Sequence, residues 1–177
     1  GFAEAAETAF GAEMVGRAHG RLLAEGWGPR PMIAAACPVV VNLVEMYYPD
    51  LTPHLAPIVS PMIAHGRWLR RRYGAEAHLV FIGPCLGKKG EIWAKGLQGV
   101  IDSALTFTEL AEWLAESGVE IARPPAPPEP VPARPAARLF PVEGGLVGTA
   151  RLSTDMLADH IVTASGLEAC RDVLEGI

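Results

Sequence analysis

Apolar residues recur along this chain with a helical period in some stretches and as short continuous runs in others. From Thr8 to about Gly26 the pattern is helical, with Phe10, Met14, Ala18 and Leu22 on one stripe. Met32 to Ala36 is an apolar run ending at Cys37-Pro38, and it reads as a short strand. Pro38 suits the first position of a helix, where its missing amide would have no partner anyway. Val40, Leu43, Val44 and Tyr47 form the expected buried face of that helix, and Pro49-Asp50 ends it. Ser60-Pro61 opens the next one with a serine N-cap, and Met62, Gly66, Leu69 and Tyr73 should turn inward before Gly74. Leu79 to Gly83 and Val100 to Leu105 read as two further strands. Thr106 and Glu109 have the spacing of a capping box, for a helix with Leu110, Trp113 and Leu114 inside and Gly118 at its end. A helix after Gly144-Gly145, a strand from His160 to Ala164 and a last helix from Leu167 complete the order. Strands alternating with helices imply an α/β fold with mostly parallel pairing. Ligands of such folds sit beyond the carboxyl ends of the strands, which is where Cys37 and Cys85 fall.

Composition adds limits. At 177 residues, with 50% hydrophobic and 20% charged positions, the chain can bury a substantial core. Residues 123–141 hold half of all the prolines, so they read as an extended loop between a region at 1–122 and a remaining α/β segment at 142–177. A net charge of −5 argues against a nucleic-acid partner. Arg67-Trp68-Leu69-Arg70-Arg71-Arg72 is the one basic cluster, and it reads as the solvated end of a helix, where cations suit the dipole. No apolar run is long enough to span a membrane, and no signal-peptide pattern opens the chain. Three separated cysteines do not form a secreted disulfide framework, so a reducing cytoplasm is the expected setting. Gly1-Phe2-Ala3-Glu4 reads as the start of an excised segment of a longer polypeptide.

The chemistry concentrates in Gly83-Pro84-Cys85-Leu86-Gly87-Lys88-Lys89-Gly90-Glu91. A thiol at the end of a strand beside two lysines suits a thiolate. A phosphate loop fails on spacing, since only three residues separate Gly83 from Gly87 and no Ser or Thr follows Lys88. A zinc site lacks paired cysteines, and His19, His54, His65, His78 and His160 show no ligand spacing, so they read as surface or packed residues. A cysteine nucleophile at Cys85 has no histidine base nearby in sequence. Cys170 shares a helical face with Leu167, Leu174 and Ile177 and reads as a buried small hydrophobe. Two corners, Cys37-Pro38 and Pro84-Cys85, then suggest a shared metal or cofactor site.

Ala36-Cys37-Pro38, Ser60-Pro61-Met62 and Pro84-Cys85 through Glu91 together resemble the C-terminal catalytic domain of the iron-only hydrogenase large subunit. Phe10-Gly11-Ala12-Glu13-Met14, Asn42 to Pro49, Glu143-Gly144-Gly145-Leu146 and Ser165-Gly166-Leu167 resemble its flanking segments. The resemblance implies two small, mostly parallel α/β lobes around a [4Fe-4S] cluster bridged to a two-iron centre with CO and cyanide ligands. It implies Cys37 and Cys85 as metal ligands, with Lys88 donating to a cyanide and Glu91 holding the loop. Pro38, Ser60, Met62, Gly83, Pro84, Gly144 and Gly145 would border the cofactor. The family's later cysteine pair has no counterpart here. A cubane takes four protein ligands, so this piece alone is expected to hold no stable cluster.

Departures from the family pattern bear on turnover. The cysteine that relays protons just before the first ligand is Ala36 here, and alanine carries no proton. The acidic relay positions fall at His19 and Leu22, the relay serine at Ala56, and the methionine before Pro-Cys at Gly83. The resemblance therefore implies a sensory or regulatory H-cluster-type module with little hydrogen turnover. A slow hydrogenase and an Fe–S carrier of the same fold are the alternatives. Other Fe–S or signalling domains of the same polypeptide, and an electron-transfer partner, are the expected partners.

Overall fold

Small residues, rather than the large apolar stripe, decide how the first helix packs. The computed structural model describes residues 2–120, 136–152 and 161–177. Most of the proline-rich stretch and His160 lie outside these residues. Helix α1 spans Ala9–Ala24, and its buried positions are Gly11, Ala12, Val15, Gly16 and His19. Phe10 and Met14, expected inside, are 44% and 40% exposed. The cause is close backbone approach. A Cβ on Gly11 would stand 2.2 Å from the Pro61 carbonyl oxygen, and one on Gly16 would stand 2.6 Å from Cγ2 of Thr149. Only glycine fits at such contacts.

The chain divides into two compact units, Gly1–His65 with Pro135–Ile177, and Gly66–Arg134. Helix α3, Pro61–Tyr73, begins in the first and ends in the second. In the first unit α1 packs on a 3-10 turn at Ala136–Leu139 and on a short helix at Gly145–Thr149. Helix α2, Pro38–Tyr47, starts at proline as expected, but it buries Pro38 and Val44 while Tyr47 remains 69% exposed. Apolar side chains all round α2 conceal which face turns inward. The expected strand at Met32 to Ala36 reduces to one parallel bridge, Ile33 with Leu55. Ile33 N–H donates to the His54 carbonyl at 2.8 Å, and Ala56 N–H donates to the Ile33 carbonyl at 2.8 Å. Pro31 and Pro38 bound this run and supply no ladder amide, which limits it to that exchange.

In the second unit β1, Val80–Ile82, pairs in parallel with β2, Ser103–Leu105, with Val80 opposite Ser103. Gly83 N–H extends the pairing to the Leu105 carbonyl at 3.0 Å. The connection between the strands carries helix α4, Gly87–Glu91. Val100 to Asp102, expected as part of β2, stay outside it; Arg70 claims the Val100 carbonyl, while Asp102 N–H donates to the Leu79 carbonyl at 2.9 Å. Helix α5, Phe107–Glu116, has the capping box read from Thr106 and Glu109, yet it buries no residue. Leu110 and Leu114 are half-buried, and Trp113 is exposed.

The helix after Gly144 is α6, Gly145–Thr149, and the last is α7, Leu167–Glu175, in the first unit. Cys170 is half-buried there rather than buried, and Leu174 is the side chain α7 turns inward. Residues 161–164 form no strand. The result is a mixed helix and strand fold with a small parallel sheet, in the α/β class expected.

Candidate metal centre

Strand β1 delivers Gly83-Pro84-Cys85 at its carboxyl end, and α4 begins two residues after the thiol. Lys88 N–H donates to the Cys85 carbonyl at 3.2 Å and Lys89 N–H to the Leu86 carbonyl at 3.0 Å, so the turn after Cys85 is fixed by the backbone. Cys85 is half-buried and free. Lys88 Nζ donates to Glu91 Oε2 at 2.8 Å, and the two side chains are 12% and 7% exposed. An ammonium that deep is tolerated because a carboxylate pairs with it. Lys89 turns to a different acid and forms an ion pair with Glu109. Gly83 is buried, and a Cβ there would stand 2.8 Å from Cζ of Phe81, whose ring fills the adjoining space.

The other corner belongs to the first unit. Cys37 is the exposed, extended N-cap residue of α2, and its carbonyl accepts from Val41 N–H at 3.1 Å. Pro38 is buried behind it and Ala36 is half-buried before it. Ser60 is buried, and its hydroxyl accepts from Ile63 N–H at 3.4 Å as the expected cap. Met62 is fully enclosed. Gly144 takes the left-handed conformation, φ 72°, at the start of α6, and a Cβ on Gly145 would stand 2.0 Å from the Leu139 carbonyl oxygen. Turn geometry and close packing therefore account for both glycines.

The structure thus gathers Gly83, Pro84, Cys85, Lys88 and Glu91 into one loop. Cys37, Pro38, Ser60, Met62, Gly144 and Gly145 belong to the other unit. Among the described residues no three His, Cys, Asp or Glu side chains converge as metal ligands. Cys37 and Cys85, each a free thiol at a proline corner, are donors of the kind an iron–sulfur cubane takes.

Position 19 has a distinctive state. His19 Nδ1 donates to the Val15 carbonyl at 2.9 Å, which leaves Nε2 as an acceptor, buried and with no hydrogen-bond partner. Burial pushes its pKa below the usual histidine value, and the Val15 carbonyl offsets part of that. Leu22 is half-buried and Ala56 is buried, and neither side chain can carry a proton.

Two features escaped the sequence reading. Arg70, assigned to a solvated basic cluster, is mostly enclosed. Its guanidinium donates to the Val100 carbonyl at 3.2 Å, the Ala75 carbonyl at 2.9 Å, the Ala77 carbonyl and Asp102. Asp102 also accepts from Leu79 N–H at 2.6 Å. Burial would raise the Asp102 pKa, but the Leu79 amide and Arg70 together hold it below the ordinary carboxylate value. The Glu109 capping carboxylate likewise serves Lys89. The lysine bond and the Thr106 donors hold Glu109 down to about 2. An acid at a capping position signalled the second feature, but nothing local pointed to its lysine.

Comparison with known proteins identifies the family. The large subunit of the periplasmic [Fe] hydrogenase of Nitratidesulfovibrio vulgaris is 32% identical over 143 residues, covering 71% of this chain and 34% of that protein. The cytosolic Fe–S cluster assembly factor NAR1 of Kluyveromyces lactis is 27% identical over 90 residues, covering 51% of this chain and 19% of that protein. A variant of the [FeFe]-hydrogenase HydA1 from Chlamydomonas reinhardtii superposes with a TM-score of 0.61 at 26% identity, over 71% of this chain and 35% of that one. The chain spans about a third of the length of both hydrogenases. The family model described as the iron-only hydrogenase large subunit, C-terminal domain, matches residues 1–177, and the chain belongs to that family.

Proposed function

We propose that this chain is part of an H-cluster-type mount in which Cys37 and Cys85 supply two of the cluster thiolates and Lys88 is a donor to the cyanide-bearing iron centre. The observation that carries this reading is the Lys88–Glu91 pair. It holds a nearly enclosed ammonium three residues beyond the thiol of Cys85. A lysine presents a compact charge with three rotatable donors, which suits a small anionic ligand. Glu91 pairs with that charge at 2.8 Å and holds it in place. When bound, the iron group supplies electron transfer and the site where hydrogen reacts.

The sensory or regulatory reading rests on position 36. Alanine there, with Leu22 and Ala56 further along, leaves His19 as the one titratable group at the four relay positions. Hydrogen turnover is accordingly slow, and the protein works as a module beside other Fe–S or signalling segments of its polypeptide and an electron-transfer partner. Among the described residues no helix is long and apolar enough to cross a membrane. A cytoplasmic setting rests on the free cysteines and the absence of a disulfide framework.

Maturation of the full polypeptide with the complete iron centre, followed by infrared spectroscopy, tests the reading. CO and cyanide bands are expected, and their absence after maturation rejects the H-cluster mount. Ala36→Cys should then raise hydrogen turnover about 100-fold or more. Fast turnover in the unmodified protein would refute the relay argument. The similarity to the Fe–S assembly factor favours a second reading, an Fe–S carrier without hydrogen chemistry. Cubane absorption without CO or cyanide bands would establish it.

A further inference from the structure

We propose that Glu109 is a positioning residue for the Cys85 loop, acting through Lys89. The proposal rests on the metal-mount reading for the purpose of the loop, but its structural basis is independent. The two oxygens of Glu109 divide their work. Oε2 accepts from Thr106 N–H at 2.8 Å and from the Thr106 hydroxyl at 2.9 Å, while Glu109 N–H donates back to Thr106 Oγ1 at 3.2 Å. That oxygen is fully engaged in capping α5. Oε1 faces away from the cap and accepts from Lys89 Nζ. One carboxylate therefore joins the N-terminus of α5 to the helix that follows Cys85.

Helix α4 needs such a tie. It is five residues long, far below the length at which a helix holds itself together. It contains Gly90, which has no neighbour within 4 Å of a Cβ and weakens the helix further. Two adjacent lysines leave α4 toward different acids, Lys88 to Glu91 within the helix and Lys89 to Glu109 outside it. A pair within α4 cannot fix the rotation of α4 against the sheet, whereas a pair to α5 can. With Lys89 released, α4 loses its tie to α5, and Lys88 and the Cys85 carbonyl are held less firmly. An exposed ion pair ordinarily contributes little because both side chains must be ordered. Here the glutamate is already ordered by its cap, so that cost falls on Lys89 alone. The carboxylate stays ionised throughout the neutral and mildly acidic range.

Glu109→Gln separates the two functions, because glutamine serves as well as glutamate at this position of a capping box but forms no ion pair. In the full chain, amide exchange over residues 86–92 should quicken about two- to five-fold in Glu109→Gln and in Lys89→Ala, with residues 107–116 unchanged. The double variant should exceed neither single one, and Lys89→Arg should restore the original rate. After maturation, Glu109→Gln should shift the cyanide bands, since Lys88 is their expected donor. Unchanged exchange in α4, loosening confined to α5, or failure of Lys89→Arg to rescue would overturn the proposal. Should Glu109→Gln not fold, Lys89→Ala decides alone, because it leaves the cap intact. Infrared bands absent from every protein, the unmodified one included, would refute the metal-mount reading while leaving the exchange result to decide the role of Glu109.

Discussion

At the scale of single residues, glycine placement explains more of the packing than the large side chains do. Gly11 and Gly16 let α1 approach the start of α3 and the end of α6 at distances no Cβ permits. Gly148, in α6, has nothing within 4 Å of where a Cβ would stand. The two kinds of site should respond oppositely to alanine. Gly148→Ala gains about 0.5–1 kcal/mol from helix propensity and reduced unfolded-state entropy. Gly11→Ala gains the same propensity but drives a methyl into a backbone carbonyl, and overpacking of that kind costs about 1–3 kcal/mol. Chemical denaturation should show a higher midpoint for Gly148→Ala and a lower one for Gly11→Ala. A stabilised Gly11→Ala would mean that α1 and α3 do not pack as described. The sequence reading missed this face because it followed Phe10, Met14, Ala18 and Leu22, the larger apolar residues. Close contact between backbones is carried by side chains too small to register in a hydrophobic pattern.

At the scale of elements, helix starts were legible and strand extents were not. Pro38, Ser60-Pro61 and Thr106 with Glu109 carry local chemistry that fixes a helix end wherever the rest of the chain goes. Strands depend on partners distant in sequence, so Met32 to Ala36 looked as convincing as Leu79 to Gly83. The first found a single bridge partner and the second a ladder. What limits β2 at its start is Arg70, which ties the end of α3 to Val100, to Asp102 and, through Asp102, to the Leu79 amide that precedes β1. This network fixes where the strand carrying Cys85 begins. Arg70→Ala should cost about 2 kcal/mol, because it strands carbonyls and a carboxylate that are only partly solvated. Arg70→Lys should recover less than half of that, since an ammonium lacks the planar fork that reaches several acceptors at once. A double-mutant cycle with Asp102→Asn should show a coupling of about 1 kcal/mol, a modest value that reflects solvent access to the pair. Additive effects in that cycle would remove Asp102 from the network. The two cysteine corners were legible for the same reason as the helix starts. Each is a short chain segment in which a proline adjoins a thiol, with two lysines following the second, whereas Lys89–Glu109 spans twenty residues and left no local mark.

At the scale of the whole molecule, the titratable groups with displaced pKa values separate by unit, and acid should therefore weaken the two units in sequence. His19 and His65 belong to the first unit, and burial lowers both below the ordinary histidine value of 6.5. The unfolded chain then binds protons at higher pH than the native one. Stability contributed by these neutral rings is full above 6.5 and declines as pH falls from there through the native values. His19 adds to this because protonating Nε2 would place a charge in a buried spot with no acceptor. Asp102 and Glu109 belong to the second unit and are displaced downward as acids, Glu109 from 4.5 to about 2. Their native state binds fewer protons, so the Glu109 contribution holds above 4.5 and is lost as pH falls from there toward 2, and that of Asp102 is lost as pH falls below 3.8. Amide exchange corrected for its intrinsic pH dependence should show α1 loosening as pH falls below 6.5, with β1, α4 and β2 unaffected until below pH 4.5. His19→Gln should flatten the first step, because an amide places no charge there at any pH. Simultaneous loosening of both units would show that they unfold as one cooperative body, and that the histidines and carboxylates act on a single shared equilibrium.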